Sequence, residues 1–102
     1  MKIAITSEGD ALNAQIDSRF GRCSYFAIYD TATKETTFLV NPAKEASGGA
    51  GPAAVQFIAK QGVSKIYAGE FGGKIISMLE NLKIEMINER DKTILDIINQ
   101  YN

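Results

Sequence analysis

Strand-like and helix-like segments alternate along the second half of this chain, and that alternation restricts the fold more than any other feature. Pro52 suits a first helical position, Val55, Ile58 and Ala59 fall on one face behind it, and Gly62 supplies a left-handed stop. Val63 to Ala68 is an apolar run of strand length. Ile75, Ile76, Leu79 and Leu82 mark the inner face of a second helix, and Ile84 to Ile87 is a further strand. A last helix, capped by Asp91, carries Ile94, Ile98 and Tyr101 on one stripe. The first half is different. Lys2 to Thr6 and the aromatic, β-branched Tyr25 to Tyr29 read as strands. Asp30 to Lys34 reads as a hairpin turn, and Thr36 to Val40 as the returning strand, which Pro42 ends. The order β-β-β-α-β-α-β-α predicts an α/β domain with parallel strands joined by right-handed crossovers. The hairpin makes the sheet mixed. We expect a five-stranded sheet in the order 3-2-1-4-5, strand 2 antiparallel, with helices on both faces and hence three layers.

At 102 residues, 45% of them hydrophobic, the chain has the size and composition of one compact domain spanning 1–102. No apolar run approaches the ~20 residues that cross a bilayer, and Met1-Lys2 leads directly into Ile3-Ala4-Ile5 with no cleavable signal pattern. A cytoplasmic protein is expected. The single cysteine, which cannot form an internal disulfide, fits a reducing compartment. Eleven Lys plus Arg against twelve Asp plus Glu leave a net charge of −1, with no general attraction to nucleic acid or an anionic membrane. The absence of histidine removes His-based acid–base catalysis and every His-containing metal site. Strand one holds no carboxylate, which argues against a two-metal hydrolase.

The expected topology sorts the glycines. Of the nine, at 9, 21, 48, 49, 51, 62, 69, 72 and 73, only Gly62 falls away from the carboxyl edge of strand one. Ligands of open sheets with parallel strands bind at that edge, and two helix N-termini, near Pro52 and Lys74, aim amide donors at it. The run Ser18-Arg19-Phe20-Gly21-Arg22-Cys23-Ser24-Tyr25-Phe26 enters strand two from the same edge. Arg19 and Arg22 can fork around oxyanions or sulfides, or make solvated ion pairs with Asp17 or Glu8. Cys23 reads equally as a thiolate with a lowered pKa, able to bind a soft metal, and as a small buried residue at a strand start. Phe20 and Phe71, each in a glycine-flanked loop, are candidates to line a pocket, whereas Phe26 reads as core. Gly48-Gly49-Ala50-Gly51 lacks the Lys-Ser/Thr pair of a P-loop. Together these residues predict an anion-binding cleft on the carboxyl edge.

The same residues resemble a known family. The opening strand with Ser7-Glu8-Gly9, the Ser18 to Phe26 run as an S-x-F-G-R-x-x-Y-F element, the Gly48 to Gly51 loop and Ala68-Gly69-Glu70-Phe71-Gly72 are similar, in order, to the dinitrogenase iron–molybdenum cofactor-binding family of NifX-type carriers and the C-terminal part of NifB. The resemblance implies a ribonuclease H-like three-layer fold without nuclease activity. It also implies a non-enzymatic carrier or chaperone for an iron–sulfur or iron–molybdenum-type cluster, bound transiently. Many members have a histidine before Phe-Gly; here that position is Arg19, which leaves Cys23 as the one soft metal ligand and shifts weight to electrostatic binding. The expected cofactor-binding residues are Arg19, Phe20, Gly21, Arg22, Cys23, Gly48, Gly49, Gly51, Gly69, Phe71 and Gly72. Expected partners are donors or acceptors of metal–sulfur clusters, with neither nucleic acid nor membrane, and the protein is expected as a monomer or weak homodimer. The alternative is a regulatory or adaptor domain that binds a small oxyanion or nucleotide.

Overall fold

A computed structural model describes residues 1–102. The elements are β1 (Lys2–Ser7), β2 (Tyr25–Asp30), β3 (Glu35–Val40), α1 (Ala50–Ala59), β4 (Lys65–Ala68), α2 (Gly73–Asn81), β5 (Glu85–Asn88) and α3 (Ile94–Asn99). They form one mixed five-stranded sheet in the order β3-β2-β1-β4-β5. β2 is antiparallel to both neighbours, while β1, β4 and β5 run parallel. This is the expected architecture, with element ends shifted by a residue or two.

Alternation along each strand divides the core into two layers. Ala4, Phe26, Ile28, Ile66 and Ala68 face Ala54, Val55 and Ile58 of α1 and Ile75 and Leu79 of α2. Ile3, Ile5, Ala27, Tyr29 and Tyr67 face Ile94, Ile97 and Ile98 of α3. β1 lies in the middle of the sheet and is buried on both faces from Ile3 to Ser7, which is why its sequence shows an apolar run rather than an in–out alternation. No helix is long and apolar enough to cross a membrane.

Three local expectations change. Ile76 and Leu82 are exposed, so α2 buries only Ile75 and Leu79; a nine-residue helix presents a narrow stripe to the sheet. Asp91 is not the cap of α3. It takes a positive φ of 57° in the preceding turn, and Thr93 caps the helix instead. Ile97, outside the expected stripe, is fully buried beside Ile94 and Ile98.

Candidate functional site

The carboxyl ends of β1 and β4 carry the loops that the glycines punctuate, and the chain stitches those loops together with its backbone. Asp17 N donates to Thr6 O (2.9 Å), and Thr6 Oγ1 donates to Asp17 O (2.6 Å). Gly69 N donates to Asp17 O (3.3 Å) and Glu70 N to Ser18 O (2.8 Å). The Arg19 segment thus runs alongside the β4–α2 loop, and Arg19 and Glu70 bridge in parallel. Gly69 is required at this seam, because a Cβ there would lie 2.5 Å from Ser18 Cα. Gly21 packs on the first turn of α1, where a Cβ would lie 3.0 Å from Gly51 Cα. Gly51 in turn leaves room for Ile75, in the first turn of α2. The N-termini of α1 and α2 therefore abut, and the Arg19–Arg22 loop lies against them.

Neither helix start is closed by a side chain. The N-cap residues are Gly49 and Gly72, neither first turn has a carboxylate, and Pro52 has no amide hydrogen. Each start carries a partial positive charge on its free amides. Lys74 in the first turn of α2 adds a full one, an arrangement unfavourable for the helix itself and favourable for an anion placed above it. Gly48, Gly49 and Gly73 have nothing within 4 Å of a built Cβ, and Gly72 has only Ile75, at 4.0 Å. These four glycines are open, whereas Gly21, Gly51 and Gly69 are wedged. The wedged three shape the edge and do not line it with free surface.

Several expected site residues take other roles. Cys23 is fully buried in the α1/α2 layer. Its Sγ–H donates to Phe20 O (3.4 Å), and Asn41 Nδ2 approaches the sulfur at 3.7 Å. Burial, with the nearby Asp17 carboxylate as a lesser cause, pushes the thiol up to about 12. One of the two readings of Cys23 is a thiolate with a lowered pKa, since two arginines flank it in sequence, but neither guanidinium reaches it. Arg19 Nε pairs with Asp17 Oδ1 at 3.4 Å, and Arg22 Nη1 donates to Lys44 O (2.8 Å) and Ala46 O (2.6 Å). Of the two readings of Cys23, this geometry matches the small buried residue at a strand start. Phe20 is core rather than pocket, only 3% exposed, with its ring 5.7 Å from Phe26 and 5.9 Å from Phe71. Phe71 stays half-buried and borders a hollow of about 250 Å³ with Ile76, Met86 and Asn88.

The edge is also less concave and less positive than expected. Its largest hollow, about 320 Å³, is lined by Glu8, Gln15, Ile16, Ser18, Glu89, Arg90 and Asp91, and none of the three hollows touches Arg19, Arg22 or the Gly48–Gly51 loop. Asp17 offsets Arg19, and Glu70 pairs with Arg90 at 3.6 Å. The remaining positive character comes from Arg22, Lys74 and the two helix starts. No three His, Cys, Asp or Glu side chains gather to ligate a bare metal ion. One structural residue escaped the sequence reading. Asn41, 3% exposed, donates from Nδ2 to Gly21 O and Cys23 O, each at 3.0 Å, and accepts from Ala43 N at 3.0 Å. Its position beside Pro42 made it look like a simple strand end.

With this geometry established, comparison with known proteins is decisive for kinship. The sequence model of the family described as dinitrogenase iron-molybdenum cofactor matches residues 1–102. The chain belongs to that family. Among solved structures, the apo form of the orange protein from Desulfovibrio gigas is 30% identical, with a TM-score of 0.91 over 98% of this chain and 85% of that one. A putative NifB protein from Thermotoga is 28% identical, with a TM-score of 0.84 and the same two coverages. The crystal structure of PH0822, 23% identical with a TM-score of 0.83 over 99% of this chain and 89% of the other, is similar in fold. No curated protein sequence matches.

Proposed function

We propose that this protein is a non-enzymatic carrier for an anionic iron–sulfur or iron–molybdenum-type cluster, which it accepts from and passes to assembly partners. One observation carries the reading: two abutting helix starts without caps, with Lys74 and the Arg22 loop beside them, face one edge of the sheet. Membership of the family supports it, as does the description of the orange protein in an apo form, a term used for proteins that also exist with a bound group. The donors suit a cargo that arrives with its own sulfide ligands and a net negative charge. Backbone amides and guanidinium groups recognise the outer atoms of such a cluster and need not replace them. An exposed, shallow edge also favours handover, because the partner can reach the cargo while it is still held. In this reading Arg19, Arg22, Gly48, Gly49, Gly72 and Phe71 border the cargo; Phe20, Gly21, Gly51 and Gly69 build the edge; Cys23 packs beneath it. The three-layer arrangement is of the ribonuclease H-like kind, used here without nuclease chemistry, in a cytoplasmic protein working as a monomer or weak homodimer.

The test is anaerobic reconstitution with iron, sulfide and molybdate, followed by gel filtration and metal analysis. Visible sulfide-to-metal bands that co-elute with wild-type protein and persist in Cys23→Ser support an electrostatically held cargo. Bands lost in a folded Cys23→Ser protein would restore the thiol as a ligand. A colourless protein that binds only phosphate or a nucleotide would point to the oxyanion adaptor instead.

A further inference from the structure

The segment joining β3 to α1 is held in a manner that cargo binding alone leaves unexplained. Residues 42–48 form neither helix nor strand, and Pro42, Glu45, Ser47 and Gly48 are exposed. Side chains nevertheless pin its start and its middle. Asn41 ties its start to Gly21 and Cys23, each at 3.0 Å, and Lys44 Nζ donates to Ser24 Oγ at 2.7 Å. Arg22 Nη1 donates to Lys44 O and Ala46 O at 2.8 and 2.6 Å. A guanidinium Nη bears two hydrogens, so these two carbonyls saturate that atom. The Nε–H and the Nη2 hydrogens have no acceptor in the protein. They form the two-pronged edge of the guanidinium, the geometry that suits an oxyanion or sulfide pair.

We infer that residues 42–48 are a strap that orients the Arg22 fork for the cargo anion, and that cargo binding and strap order are coupled. The inference deepens the carrier reading and rests on it. The coupling runs through order. A free arginine gives up rotamer freedom when it engages a ligand; here the Lys44 and Ala46 carbonyls have already fixed the guanidinium. An anion on the fork holds the same group from the other side, so the strap loses its remaining freedom at lower cost. Linkage makes the effect reciprocal: the factor by which cargo stabilises the ordered strap is the factor by which the ordered strap tightens cargo. The strap runs through Gly48 into Gly49, the N-cap of α1, so the same ordering fixes the amides of that helix start. A partner protein that touches residues 42–48 could thereby distinguish loaded from empty carrier.

The probe is thiomolybdate, an anion whose outer atoms are sulfide, with sulfate as the comparison, under anaerobic conditions. Amide hydrogen exchange is followed by mass spectrometry, and bound anion by equilibrium dialysis. In wild-type protein, saturating thiomolybdate should slow exchange across residues 42–48 by about fivefold, the lower end of ordinary coupling between sites, while β1 amides stay unchanged. Arg22→Lys keeps the charge but replaces the planar guanidinium with a single nitrogen that has no separate two-pronged edge, so it should retain some anion and show no protection of the strap. Pro42→Gly with Ser47→Gly loosens the strap while leaving Arg22 and both carbonyls in place, and should weaken binding roughly threefold. Thiomolybdate bound with unchanged exchange at 42–48, or a glycine variant that binds as tightly as wild type, overturns the strap while leaving the carrier standing. No retention of thiomolybdate by the wild-type protein overturns both.

Discussion

The start of α3 and the starts of α1 and α2 are built on opposite rules. Thr93 Oγ1 accepts Asp96 N at 3.1 Å, and Asp96 Oδ2 accepts Thr93 N at 2.9 Å, a reciprocal box that satisfies two otherwise free donors. α1 and α2 begin at Gly49 and Gly72, with no side-chain acceptor and, in α2, with a lysine in the first turn. A six-residue helix is fully capped, while two longer ones are left bare. The glycines divide in the same way: 21, 51 and 69 are wedged against backbone or side chain, and 48, 49 and 73 face open space. The chain thus closes the seams of this edge tightly and leaves its amides uncovered. That division is what an anion-carrying surface needs, since rigid seams place donors that nothing in the protein consumes.

The strongest challenge to this division is a pair of alanines. In Gly69→Ala the new methyl would lie 2.5 Å from Ser18 Cα and 3.0 Å from Ser18 O. The seam must open, with the Glu70–Ser18 hydrogen bond. We expect a loss of about 3 kcal/mol and a fall in Tm of roughly 15 °C. Gly73→Ala places its methyl in open space at the first residue of α2 and should leave stability level or raise it by up to ~1 kcal/mol. Equal damage from the two, read by thermal unfolding, would erase the distinction between wedged and open glycines.

Cys23 tests the closed side through pH. Its folded pKa, about 12, is raised above the ordinary 9.0, so the native state favours the neutral thiol. The stability this contributes is complete below pH 9 and is lost as pH climbs toward 12. Relative to Cys23→Ala, wild-type protein should lose about 1.4 kcal/mol for each pH unit above the ordinary thiol value, measured by urea unfolding. A flat difference would mean that the thiol reaches solvent. A smaller effect belongs to the capped helix: Thr93→Ala should lower stability by about 1 kcal/mol and leave anion retention unchanged. Its acid sensitivity follows from Asp96, whose carboxyl is held below the ordinary value chiefly by the Thr93 backbone hydrogen bond. That contribution is present above the ordinary carboxylate value and lost as pH falls through the lowered one, so wild type and Asp96→Asn should converge in acid, whereas Thr93→Ala keeps the backbone donor.

The sheet order was readable because alternation and crossover rules leave few ways to arrange these segments. The gathering of glycine loops on one edge follows from that order alone. Side-chain roles within the edge were much less readable. Arg22 spends its Nη1 on two backbone carbonyls, and every residue type has those, so no spacing in the sequence betrays them. Phe20 looked available because Gly21 follows it; Gly21 is there to let α1 approach, and that approach buries the ring. Cys23 sits among arginines in sequence but not in space, since a side chain entering a strand turns toward the core. The α3 cap, by contrast, was present as Thr93 followed three residues later by Asp96, a signal that the nearer Asp91 obscured.

The finest test caps one of the bare helices. Gly72 has φ −69° and ψ 155°, a backbone any residue adopts, and a Cβ there finds its nearest neighbour, Ile75, at 4.0 Å. Gly72→Asp should therefore fit, accept from the free amides of α2 and complement its dipole, for a gain of a few tenths of a kcal/mol. The same carboxylate occupies the donors and puts a negative charge where the proposed cargo would place its own, so thiomolybdate retention should fall by about tenfold or more. Gly72→Asn separates the two causes, because it fills the amides without the charge and should fall between wild type and Asp. Stability and retention moving in opposite directions would show that the chain forgoes a cap to keep a ligand site. Retention unchanged in a more stable Gly72→Asp protein would mean that the open start of α2 serves no anion at all, and the contrast with α3 would reduce to a difference in local sequence.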